Sequence, residues 1–137
     1  MNGVLRAQAQ RFVDDGARYL DDEAARDYPE IISNRWYHAV NLNILDMAAD
    51  THCLLAQIGQ ACERYALLDK NAVAAAIGMK PEDGSSDAAM VRYGFRAFPG
   101  DGEEQAEVYR ELTLAWKMHV LRRRAQDPAW TLALAAG

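Results

Sequence analysis

Glu103-Glu104-Gln105-Ala106-Glu107-Val108-Tyr109-Arg110-Glu111-Leu112-Thr113-Leu114-Ala115-Trp116-Lys117-Met118-His119-Val120-Leu121-Arg122-Arg123-Arg124 decides the fold class. The stretch reads as one long helix. Acids open it and arginines close it, and both charges suit the helix dipole. Val108, Tyr109, Leu112, Ala115, Trp116, His119 and Val120 recur at three- and four-residue spacing and form one apolar stripe. Leu114, Met118 and Leu121 form a second. At ~100° per residue, Leu114 stands about 200° round from Leu112. A helix apolar on two sides is either central in its fold or shared with a partner. The central-core role is the commoner one. The sharper reading joins Leu114, Met118 and Leu121 to Trp130, in the apolar tail beyond, as a contact surface for another chain.

The rest of the chain extends this pattern. Leu5, Ala9, Phe12, Val13, Gly16 and Leu20 line one face of a helix over residues 4–20. Asp27-Tyr28-Pro29 breaks the chain, because the residue before proline avoids the helical region. A helix is expected through the Trp36 region and a loop over 41–50. Asp50 or Thr51 is placed to cap the next helix. That helix is expected to reach about Leu68, with Leu54, Leu55, Ile58, Cys62, Tyr65 and Leu68 on one face. Residues 71–78 read as a short helix ended by Gly78 and Pro81. A short element follows over 88–93. Residues 80–87 and 99–102 carry the Pro, Gly and Ser signals of loops. Pro128 stops the long helix, and residues 128–137 form an apolar tail. The expected fold is mainly α: one helical domain over 1–137, a compact bundle of four to five helices. Residues 41–50 and 95–98 leave room for a minor two-strand element.

A chain of 137 residues is one domain by size and can bury a real core without staples. Half its residues are apolar and 26% are charged, an ordinary globular balance. The net charge of -5 argues against broad non-specific binding to DNA or membrane. Cys53 and Cys62 would sit ~13 Å apart along one helix, too far for a disulfide. Reduced thiols, the lack of a signal-peptide pattern and the lack of a spanning apolar stretch point to the cytoplasm.

Candidate chemistry is sparse. Lys117 with Arg122, Arg123 and Arg124 could meet nucleic acid, but a basic last turn is also the ordinary answer to the helix dipole. His38, His52, His119 and the cysteines lack metal-ligand spacing. His52 and Cys53 are adjacent, so their side chains diverge on a helix and make no nucleophile–base pair. A small enzyme would need His38, His52 or Cys53 to converge in one pocket. Asp14, Asp15, Asp21, Asp22 and Glu23 form an acidic patch, by default a solvated face. No phosphate loop, hydrolase elbow or zinc-protease motif is present. No catalytic residue, metal or cofactor is expected.

Five patches recur in a fixed order. They are Gly16-Ala17-Arg18-Tyr19-Leu20-Asp21, Leu42-Asn43-Ile44-Leu45-Asp46-Met47, Cys53-Leu54-Leu55-Ala56-Gln57, Tyr93-Gly94-Phe95 and Leu112-Thr113-Leu114-Ala115-Trp116. In order and spacing the chain resembles a large family of small, uncharacterised proteins of actinobacteriophages and their prophage relatives. The resemblance spans about Gly16 to Arg124. The chain departs from the pattern over Trp36–Val40 and in the Ala/Lys/Ser stretch between the middle patches. The resemblance implies a non-enzymatic accessory protein in a bacterial host cell. It would act by contact with a host or phage protein, or with a second copy of itself as a homodimer. The alternative is a nucleic-acid-associated regulator using the basic end of the long helix. In structural terms, Leu54, Leu55, Phe95, Leu112 and Trp116 read as core anchors, Gln57 as a partner for buried backbone, and Asp46 or Asp50 as a cap.

Overall fold

The computed structural model describes residues 3–62, 69–79, 87–97 and 101–136. In chain order the elements are α1 (Gly3–Arg18), a π-helical turn (Tyr19–Ala24), α2 (Ala25–Asp27), a 3₁₀ turn (Trp36–Ala39), α3 (Leu54–Ala61), α4 (Lys70–Ala76), α5 (Asp87–Arg92), α6 (Gly102–Ala125) and α7 (Pro128–Ala136). The fold is mainly α, and no strand occurs among the described residues.

α1 and α6 form the frame. Leu5, Ala9, Val13, Gly16 and Ala17 bury one face of α1. Val108, Leu112, Ala115, Trp116, His119 and Val120 bury the facing stripe of α6. Three contacts set the register: Arg6 Nη2 meets Glu111 at 3.2 Å, Asp14 lies 4.0 Å from His119, and Arg123 Nη1 meets Asp21 at 2.7 Å. Residue numbers rise together along both helices, so α1 and α6 run parallel. The intervening chain must therefore return across the bundle, and α3, α4 and α5 sit on that return.

The first helix does not stop at Leu20. It widens into the π turn, where Ala25 N–H donates to Leu20 O, and continues to Asp27. A π turn inserts one extra residue into the helical repeat. Here Leu20 and Ala24 stay buried while Asp21 reaches Trp36, whose indole Nε1 donates to Asp21 Oδ1 at 2.9 Å.

At the centre of the frame, α5 ends against α1. Gly94 has φ +74, and the Tyr93 carbonyl lies where a Cβ on Gly16 would be, 2.0 Å away. Gly94 O accepts the Trp116 indole N–H at 2.8 Å. Phe95 stacks on Trp116 with ring centroids 5.3 Å apart. Both rings are fully buried.

Residues 41–50 make turns, not a strand. Asn43 N donates to Asn41 Oδ1 at 3.0 Å and Ala48 N to Asp46 Oδ1 at 3.0 Å, the local bonds by which Asn and Asp close turns. Gln57 then holds the loop. Its Oε1 accepts from Asn41 N, and its Nε2 donates to Asn41 O at 3.3 Å and His52 O at 3.0 Å. A side-chain amide thus satisfies backbone that a neighbouring strand would have paired. Residues 95 and 96 are likewise bends, residue 97 is irregular, and residue 98 lies outside the described residues.

Other expectations change as well. The cap of α3 is Cys53, whose Sγ accepts from Ala56 N at 3.5 Å, rather than Asp50 or Thr51. The helix ends at Ala61 with Cys62 as its C-cap, and Tyr65 and Leu68 lie outside the described residues. The tail after Asp127 is helical: Pro128 starts α7, where its missing N–H costs nothing. Gly102 belongs to α6 and Asp101 caps it through Glu104 N at 2.8 Å, so the 99–102 loop is shorter at its end than expected. The 80–87 loop falls on undescribed residues up to 86, and Asp87 opens α5.

Lys70 is the one wholly buried cation, at 1% exposure, among the described residues. Its Nζ donates to Met47 O at 2.9 Å and lies 5.2 Å from the Tyr109 ring centre. Burial pushes its ammonium below the ordinary lysine value. Met47 N in turn donates to Thr113 Oγ1 at 2.9 Å, tying the loop to α6.

The close approach of α1 and α5 gives a direct test. Gly16→Ala puts a methyl group against backbone that cannot swing away. We expect a loss of about 3 kcal/mol, and a fall in Tm on the order of 10 °C, in thermal denaturation followed by circular dichroism. Gly3→Ala meets nothing within 4 Å and should leave Tm in place.

Candidate functional site

The sequence pointed to the outer stripe of α6, and the structure leaves that stripe in solvent. Leu114 is 42% exposed and Met118 and Leu121 are each 55% exposed. The opposite face of the same helix is in the core. Beside Leu114 and Met118 a groove of about 300 Å³ opens between α6 and the start of α1, with Gly3, Arg6, Ala7 and Gln10 on its far wall. Its rim is held by a two-point ion pair, Arg6 Nε and Nη2 to the Glu111 carboxylate at 3.3 and 3.2 Å. Trp130, grouped with the stripe by sequence, is half-buried and engaged within the chain. The Arg124 guanidinium stands 4.1 Å from its ring centre, and the His38 ring meets it edge-on at 5.1 Å.

The basic end of α6 is divided. Arg123 forms a fork on Asp21, at 2.7 and 3.1 Å, and lies 4.7 Å from the Tyr37 ring centre. Arg124 donates to Tyr37 O at 3.1 Å and to Val40 O. Both are used to hold the 3₁₀ turn against α6. Arg122 is exposed and touches His119 Nδ1 at 3.4 Å, and Lys117 is half-buried on the helix flank. The cluster is therefore no continuous basic strip facing solvent.

Asp127, between α6 and α7, is a junction that sequence reading passed over. One oxygen accepts from Tyr37 OH at 2.7 Å and His38 Nε2 at 2.7 Å, and the other accepts from Ala129 N at 2.9 Å. The Tyr37 hydroxyl foremost, then His38 and the Ala129 amide, bring its carboxyl down to about 2. An Asp two residues before a helix amide, between a basic run and a proline, is the available sequence signal for such a cap.

The three candidate enzyme residues do not meet. His38 borders a cavity of about 390 Å³ with Ile31, Arg35, Trp36, Ile58 and Cys62. Cys53 is fully buried at the start of α3, and burial pushes its thiol up. His52 lies in an exposed turn, its Nδ1 3.2 Å from Thr51 Oγ1. Among the described residues no group of three or more His, Cys, Asp and Glu side chains could hold a metal ion. Nor is any helix among them long and apolar enough to cross a membrane. The acidic patch separates too. Asp21 serves Arg123 and Trp36, and Asp15 lies 3.5 Å from Arg18. Asp14 accepts from Gln10 at 2.9 Å, and Asp22 and Glu23 are exposed.

His119 is buried between aromatic rings, stacked on Trp36 at 6.1 Å and edge-on to Trp116 at 6.0 Å. Its Nε2 finds no hydrogen-bond partner among the described residues. Burial, then Arg123 and Arg122, push the imidazole down to about 4 from 6.5. Between those values the unfolded chain binds a proton that the folded chain refuses. Stability should therefore fall as pH drops from 6.5 through 4, by on the order of 2 kcal/mol. Asp127 acts below that window: its contribution is present above 3.8 and is lost as pH falls through about 2. Urea unfolding from pH 7 down to about 2 checks both. His119→Gln should flatten the upper slope and leave the lower one, and Asp127→Asn should do the reverse. No family model, no curated protein and no solved structure matches the chain.

Proposed function

We propose that this chain is a non-enzymatic accessory protein of the phage type its motifs resemble, acting through protein–protein contact, and that the outer stripe of α6 is its docking face. One observation carries the reading. Of the six large apolar side chains exposed among the described residues, Leu114, Met118 and Leu121 stand in line on one helix. Scattered apolar residues are normal on any surface, whereas aligned ones beside a groove mark contact sites. The opposite face of α6 is buried in the core, so the stripe is presented on a rigid support. The nucleic-acid alternative loses support because Arg123 and Arg124 are engaged inside the fold.

Two experiments test the face. Leu114→Asp with Met118→Asp should leave the far-ultraviolet spectrum unchanged and cost no more than about 1 kcal/mol, since both sites are exposed. A double variant that unfolds would assign the two residues to the core and end the proposal. A photo-crosslinking amino acid at Leu121, in cells producing the protein, should give one discrete adduct that the double variant loses. Adducts identical to those from a crosslinker at Arg26, on the exposed side of α2, would count equally against it.

A further inference from the structure

The docking face has two unlike rims. Toward α1 the rim is charge-balanced: Arg6 and Glu111 neutralise each other at 3.2 Å, and Gln10 donates to Asp14 at 2.9 Å. On the side away from α1 stand Arg110, exposed, and Lys117, half-buried. They are seven residues apart on α6, about two turns, so they share one flank ~10 Å apart along the axis. Neither makes an ion pair among the described residues. A cationic flank runs against the character of a chain whose net charge is -5. Glu107 and the acidic first turn of α6 lie beyond the N-terminal end of the apolar stripe and limit how far an acidic partner can extend.

Resting on the docking-face reading above, we infer that the partner element is an amphipathic helix with carboxylates along one flank. Its apolar residues, at three- and four-residue spacing, seat against Leu114, Met118 and Leu121. Its Asp or Glu residues, seven apart, face Arg110 and Lys117. Its other flank meets the balanced rim and can be neutral. A second copy of this chain fits poorly. In an antiparallel two-fold contact the Arg110 and Lys117 flank of one copy faces the same flank of the other, and in a parallel one it faces the opposite rim, whose Glu111 is already paired with Arg6. Like charges across an interface oppose association and select against the wrong partner.

The probes are two fluorescently labelled synthetic helical peptides with one leucine face. One carries Glu at two flank positions seven residues apart, and the other carries Lys there. Fluorescence anisotropy with the full chain should show the Glu peptide binding at least about tenfold more tightly at low salt, with the gap closing as salt is added. Arg110→Glu with Lys117→Glu should invert the preference. Equal affinities, no binding of either peptide, or a preference that the charge reversal leaves intact would overturn the inference. So would a dimer in sedimentation velocity that L114D/M118D dissolves, which would make the occupant a second copy. The two readings separate cleanly. If both peptides bind equally and L114D/M118D abolishes both, only the charge inference falls. If L114D/M118D leaves Glu-peptide binding untouched, the docking face itself falls.

Discussion

The structure depends on one backbone-to-backbone approach. α1 and the turn after α5 come so close at Gly16 and Tyr93 that no side chain fits between them. Gly94 adopts φ +74 there, which aims its carbonyl at the Trp116 indole and lays Phe95 on the same ring. An L-residue rarely takes that conformation. Three elements distant in sequence are thereby locked at one point: the middle of α1, the end of α5 and the centre of α6. The hydrogen bond is modest in net energy, but breaking it would strand a buried indole N–H. Packing of the two large rings contributes most of the stabilisation.

A second set of joints closes the other end of the bundle, and it is electrostatic. Asp21, lifted into place by the π turn, receives both Trp36 and Arg123. Asp127 receives Tyr37 and His38, while Arg124 grips the carbonyls of Tyr37 and Val40. The 3₁₀ turn is thus held by polar bonds from the π turn, α6 and its end, together with the burial of Trp36 and Tyr37. Such bonds need good geometry to offset the desolvation of the charges. The forked Arg123–Asp21 contact and the several donors on Asp127 supply it. His119 sits between this polar end and the aromatic centre. It stays neutral because burial disfavours the charged ring, and a proton there would also face two guanidiniums.

The long helix was legible because period and dipole charges agree over Glu103 to Arg124, although its Asp101 cap belongs to a stretch that reads as a loop. The α1 stripe was legible for the same reason. Local ambiguity explains most of what was not. Leu42 to Leu45 alternates as a strand would, yet Asn41 and Asp46 close turns there and Gln57 takes up the backbone bonds. Cysteine is an unusual helix cap, so Cys53 lost to Asp50 and Thr51 on residue type alone. The remaining misses are long-range. Nothing local ties Asp21 to Arg123, or Lys70 to Met47 and Tyr109. The five ordered patches are better understood now. Gly16, Met47, Gln57, Gly94, Thr113 and Trp116 each make a joint of the fold. They mark its architecture, while most of the exposed stripe of α6, Met118 and Leu121, lies beyond the last of them.

The parallel pairing of α1 with α6 bears on how the chain is made. α1 leaves the ribosome well before α6, its main partner. Until α6 emerges, the buried face of α1 has no surface to cover it, and neither the indole for Gly94 nor the guanidinium for Asp21 exists. Contacts so far apart along the chain are slow to form because a long loop must close first. The native bundle can therefore assemble only after α6 has been made. During translation the exposed stripe of α1 is the segment most in need of protection from other chains.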